Sequence, residues 1–125
     1  MSTKPQRPEH LRILWYLDSE AGLWLAHSLD GDVVGQGKGV HEATVNLISA
    51  MLAHLKIAVE QEAESEFWEQ QAPEEIERRY AEGDDPGMQK KAILSYVDAS
   101  GADRHMNAII RKVFEHASVR IARAA

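Results

Sequence analysis

The segment 11–29, LRILWYLDSEAGLWLAHSL, constrains the fold more than any other stretch. It is apolar at odd and even positions alike, on both sides of a short turn. A hairpin with one wet face alternates apolar and polar residues. This one barely alternates, so both faces of the sheet it builds require cover. Strands over 11–17 and 23–29 are expected, joined by the turn-forming cluster Asp18-Ser19-Glu20-Ala21-Gly22. A five-residue turn pairs Leu17 with Leu23. Leu11, Ile13 and Trp15 then share a side with Leu25, His27 and Leu29. Arg12, Leu14 and Tyr16 share the other with Trp24, Ala26 and Ser28. The first side is the stronger aliphatic surface. The second sets an aromatic pair beside an arginine, residue types that concentrate binding energy, so Arg12, Leu14, Tyr16 and Trp24 are the candidate partner-binding residues. One residue more or less in the turn would reverse the relative facing.

A third strand, 33–38, follows Asp30-Gly31-Asp32, and Gly35 and Gly37 within it point to a bulge or an edge. Then the period changes. Val40, Thr44, Leu47, Ile48, Met51, Leu52, Leu55, Ala58 and Val59 repeat at helical spacing, with Gly39 at the N-cap position. APEEIERRYAEG reads as a short helix between Pro73 and Gly83. Ala92 to Val97 fits a helix or a strand equally well. Met106, Ile109, Ile110, Val113, Phe114, Ala117 and Ile121 form a second helical stripe, capped by Asp103. The expected fold is α+β: a three-stranded antiparallel sheet, one long helix packed on it, and a mainly helical C-terminal half. Its divisions are a disordered tail (1–10), a sheet-and-helix unit (11–60), an acidic connector with a short helix (61–87) and a C-terminal helical segment (88–125).

Charge is unevenly spread along a chain of net charge −6. Residues 60–85 carry eleven acids, opposed only by Arg78 and Arg79. Beyond Asp103 the balance reverses, through Arg104, Arg111, Lys112, Arg120 and Arg123. Attraction between the two segments, within a chain or between copies, or two solvated helix faces, both fit this pattern. The expected cover for the second sheet face is the Met106–Ile121 stripe in a homodimer, with Met106, Ile109, Ile110, Val113 and Phe114 in the interface.

The segment GLWLAHSLDGDVVGQGKGVHEATVNLISAMLAHLK resembles the N-terminal domain of HicB-type antitoxins. Gly22, Trp24, Leu25 and Ala26 match that family's second strand, Gly37 the end of its third, and Glu42-Ala43 with Asn46 and Leu47 its helix. The match covers about residues 11–60. Asp30-Gly31-Asp32 replaces the family's proline-glycine turn with one residue fewer, and Gly39 replaces its capping threonine. Residues 61–125 match neither of the DNA-binding motifs common in the family. The resemblance implies a degenerate ribonuclease H-like fold without nuclease chemistry. It also implies a partner: a small, basic, double-stranded-RNA-binding-like toxin that cleaves messenger RNA.

Direct signs of catalysis are weak. Zero cysteines exclude thiol chemistry and disulfides. Six scattered histidines show no metal-ligand spacing, and His27 on a strand reads as a packed or edge residue. GDVVGQGKG lacks the spacing of either nucleotide fingerprint. The expectation is a non-enzymatic module with no cofactor and no metal, acting by protein binding as a HicB-like antitoxin or orphan relative. The alternatives are an autorepressor binding DNA through Arg104, Arg111, Lys112, Arg120 and Arg123, or a homo-oligomer with no toxin. The polar start MSTKPQRPEH and the lack of an apolar run near the ~18 residues of a membrane span point to the cytoplasm and to no membrane partner.

Overall fold

A computed structural model describes residues 6–123. Three strands come first: β1 (Arg12–Asp18), β2 (Leu23–Ser28) and β3 (Val33–Gly37). The long helix α1 (Val40–Glu60) follows, then α2 (Glu64–Glu69), α3 (Glu74–Glu82), α4 (Lys90–Ala99) and α5 (Arg104–Phe114), and a closing strand, β4 (Ser118–Ile121). The sheet order is β3-β2-β1-β4, with β4 parallel to β1 and the other pairings antiparallel. The fold is α+β, and the sheet is four-stranded and mixed, where three antiparallel strands were expected. Ala117 and Ile121 continue the helical spacing of Met106 to Phe114, which hides the strand in the sequence. Ala92 to Val97 is helical, within α4. Of the expected disordered tail, residues 1–5 lie outside the described region. Residues 6 and 7 are held: Gln6 N donates to Ser65 Oγ, and Arg7 forms two hydrogen bonds to Glu64. Residues 124–125 also lie outside it.

One sheet face carries the main core. Ile13, Trp15, Ala26, Val33 and Val119 pack with Leu47, Ile48, Met51 and Leu55 of α1, Ile93 and Val97 of α4, and Met106, Ile110, Val113 and Phe114 of α5. By length and apolarity alone α1 would suffice to cross a membrane, but its stripe is filled by the sheet. Glycine is what lets it come so close. A Cβ on Gly35 would stand 2.1 Å from the Leu47 nitrogen, and one on Gly37 2.7 Å from the Ala43 nitrogen. Gly37, Glu42-Ala43 and Leu47, matched above to one family pattern, therefore form a single packing unit. Trp15 Nε1 donates to Thr44 Oγ1, and Thr44 Oγ1 donates to the Val40 carbonyl, so the buried indole is satisfied.

The hairpin register differs from the expected one. Asp18 pairs with Leu23 and Leu17 with Trp24, leaving a four-residue loop. The Asp18 carboxylate accepts from the Glu20 and Ala21 nitrogens, and Gly22, at φ +67°, donates to the Asp18 carbonyl. Asparagine-like capping of this kind tightens a turn by using its own side chain. The shorter loop reverses the relative facing of the strands. Trp24 and Ala26 join Trp15 and Ile13 on the α1 face, while Tyr16 sits beside Leu25 and Leu14 beside His27.

The acidic segment, and not the last helix, covers the second face. After α1 the chain turns through Glu62 at φ +56° and inserts Phe67 and Trp68 of α2 into the main core. It then pairs with the end of β2: Gly31 N donates to the Gln70 carbonyl and Ala72 N to that of Leu29. From there α3 lies along β1, setting Ile76 and Tyr80 over Leu14, Leu29 and Ala72. The expected connector is thus a packed strap around the end of the sheet. The α5 stripe is occupied inside the chain: Met106, Ile110, Val113 and Phe114 are buried and Ile109 packs against the same core. These side chains belong to the chain's own core and not to the intersubunit contact expected of them.

Candidate protein-binding surface

Among the described residues, the second face divides into a covered half, over β1 and β4, and an open half, over β2 and β3. Arg12 anchors the covered half. Its guanidinium donates to Asp30 (2.9 Å), Glu77 (2.6 and 3.2 Å) and Gln71 (2.8 Å), and its backbone nitrogen donates to Asp30 Oδ2 (3.1 Å). The Asp30 hydrogen bond, opposed by desolvation and reinforced by Glu77, raises its pKa further and keeps it charged. A residue expected to meet a partner is therefore an internal clamp, tying β1 to the turn after β2 and to α3. Leu14, fully buried, is also internal.

Tyr16 alone of the four expected partner residues sits partly exposed on this face. Trp24 is on the opposite side. The hydroxyl of Tyr16 bonds His27 Nδ1 at 3.2 Å, and His27 Nε2 bonds Asp32 Oδ1 at 2.7 Å. Both ring nitrogens of the buried histidine are therefore engaged. Asp32 takes the unusual φ of +49° to reach it. Burial raises the Tyr16 pKa, Arg79 over its ring opposes the shift, and Asp32 and Asp18 add to it. The hydroxyl thus stays protonated. The arrangement fixes a tyrosine ring on a rigid sheet among acids. His27 and Asp32 were not singled out as site residues by sequence, because their contact depends on the β2–β3 turn conformation.

Beside Tyr16 the open half presents Leu25, partly exposed, and Val34 and Gln36, exposed. Val34 retains 39% of its surface. The basic residues divide between α5, which carries Arg104, Arg111 and Lys112, and the end of the chain, which carries Arg120 and Arg123. Arg111 pairs with Asp98 (2.6 Å) on the α4–α5 side. Arg120, on β4, donates to the Gly83 carbonyl and lies over the Tyr80 ring, and Arg123 pairs with Asp84. Arg104 and Lys112 are exposed on α5.

A polar cleft of about 310 Å³ runs beside β4, lined by His10, Asp85, His116 and Ser118 among others. The two imidazoles meet edge-on at 6.3 Å. Among the described residues no three His, Asp or Glu side chains are placed to hold a metal ion, and no buried side-chain polar atom lacks a partner. Comparison with protein-family models, curated proteins and solved structures found no match to this chain.

Proposed function

We propose that this chain is a non-enzymatic, cytoplasmic protein-binding module, a HicB-like antitoxin or orphan relative, that holds a small basic messenger-RNA-cleaving toxin. The observation that carries the reading is the uncovered half of the second sheet face. Leu25, Val34 and Gln36 stand there on paired strands, and Tyr16 borders them from β1 with Asp18 and Asp32 beside it. A rigid, partly apolar surface with a binding-prone aromatic is what an interface core requires. Its acidic neighbours and the net charge of −6 suit a basic partner by speeding encounter and penalising acidic competitors. The antiparallel meander followed directly by α1, with the close β3–α1 packing at Gly35, Gly37 and Ala43, supports the resemblance that names this partner class.

The test uses the product of the adjacent gene, if that product is basic and shorter than a hundred residues. Cleavage of a messenger RNA by this protein should stop at one equivalent of the chain. Undiminished cleavage at tenfold excess would contradict the reading.

A further inference from the structure

We infer that the outer edge of β3 is a strand-addition site, taking a short extended segment of a partner protein. The phase of the sheet hydrogen bonds fixes what this edge offers. Leu29 N donates to the Arg12 carbonyl, so alternate residues His27 and Leu25 bond towards β1. Trp24, Ala26 and Ser28 therefore bond towards Gly37, Gly35 and Val33. The N–H and C=O groups of Val34 and Gln36 then point away from the sheet. Asn46 Nδ2 confirms the direction by donating to the Gln36 carbonyl at 2.7 Å. That oxygen has a second lone pair for an incoming strand.

The two edges of the sheet are treated differently. At β4 the chain closes its own edge: Asp84 N donates to the Ile121 carbonyl (2.9 Å) and Ile121 N to that of Asp84 (2.8 Å). β3 has no charge and no proline among its five residues, the devices that normally blunt an edge.

A roof lies over the open edge. Because Asn46 reaches the edge, Ala50, Ala53 and Ile57, at helical offsets of four, seven and eleven, face the same way. Ile57 retains 55% of its surface. From Asn46 to Ile57 the helix rises about 16 Å, the length of roughly five strand residues. The occupant thus alternates apolar residues towards this roof. Its charges follow from the ends of β3, where Asp32 and Lys38 are both exposed. An antiparallel occupant sets an acid opposite Lys38 and a base opposite Asp32.

A second copy of β3 does not fit. α1 lies directly over β3, held there by Gly35. Two copies paired edge to edge would place their strands about 4.8 Å apart, with both helices on one face, where helix axes need about 8–10 Å.

This inference deepens the protein-binding reading but can fail independently of it, since docking on the open sheet face needs no strand addition. The probe is the peptide Glu-Val-Thr-Val-Val-Ile-Lys, titrated into the full chain labelled with ¹⁵N. We expect saturable shifts at the Val34 and Gln36 amides, at least tenfold weaker binding of the peptide with its terminal charges exchanged, and loss of binding in Val34→Pro. That proline removes an N–H that β2 does not use, so the sheet is retained. Ile57→Lys, an exposed substitution on the roof, should also weaken binding. Absence of shifts at these amides, or equal binding by both variants, would overturn the proposal. So would a dimer in sedimentation velocity that Val34→Pro dissolves, since it would make a second copy the occupant.

Discussion

Gly35→Ala is the sharpest perturbation of the packing that positions the sheet. An added Cβ would stand 2.1 Å from the Leu47 nitrogen, 2.5 Å from the Ala43 carbonyl oxygen and 2.6 Å from the Leu47 Cα. All three are backbone atoms and cannot swing aside, so α1 must withdraw by about 1 Å or more to restore ordinary contact. A gap of ~0.5–1 Å forfeits a quarter to a half of each dispersion contact it opens. Leu47 and Met51 are fully buried on this helix, and each contributes about 1.5–3 kcal/mol by burial. Adding neighbouring contacts, the loss is about 2–3 kcal/mol, within the usual range for overpacking. The reduced freedom of the unfolded chain returns about 0.4–1 kcal/mol. The net destabilisation expected is about 2 kcal/mol, against roughly 6–19 kcal/mol for a domain of this length. Urea unfolding should show a lower midpoint at unchanged slope. Gly39→Ser is the control: its Cβ meets nothing within 4 Å, and the N-cap there has no side-chain hydrogen bond. It should stabilise by a few tenths of a kcal/mol. An unchanged midpoint for Gly35→Ala would refute the close helix–strand packing.

Other outcomes follow from the same geometry. Arg12→Met should cost about 2–3 kcal/mol in urea unfolding, less than the ~3–5 kcal/mol of a fully buried pair because Arg12 and Glu77 are partly solvated. Burial pushes the Glu64 pKa up, but hydrogen bonds from Arg7 and Trp68 outweigh it and leave the pKa lowered. Its contribution is therefore present above the ordinary carboxylate range and lost as pH falls through the depressed folded pKa, so acid titration of Glu64→Gln should lose part of the wild type's decline below pH 4.5. Promoter DNA should give no salt-sensitive complex at submicromolar protein in a mobility-shift assay, because the chain carries a net charge of −6 and Arg111 and Arg123 pair with Asp98 and Asp84.

The local elements were legible where local chemistry decides them. The first three strands and the start of α1 follow from period and turn residues, and Asp103 caps α5 by accepting from the Met106 nitrogen. α3 also lies between Pro73 and Gly83 as expected, though Pro73 is its N-cap. What escaped was non-local. β4 exists because Ser118–Ile121 pairs with a strand about a hundred residues earlier, and a four-residue segment whose Ile121 prolongs a helical stripe carries no sign of that. The facing of the hairpin turned on one loop residue, decided by Asp18 capping its own turn. Arg12 looked like an interface residue because its acids, Asp30 and Glu77, are distant in sequence. The acidic run looked like a connector because Phe67, Trp68, Ile76 and Tyr80 are sparse, although they suffice to seat it on both faces.

The central claim is that a partner is held on the open half of the sheet. Titration calorimetry with the adjacent gene's small basic product tests it most directly, comparing wild type, Leu25→Asp and Lys112→Glu. Leu25 is on the open face and Lys112 is exposed on α5, on the far side of the sheet. Leu25→Asp should weaken binding at least tenfold, about 1.4 kcal/mol, with circular dichroism unchanged, and Lys112→Glu should leave affinity within twofold. Wild-type affinity in Leu25→Asp together with loss in Lys112→Glu would contradict the account and place the interface on the last helix.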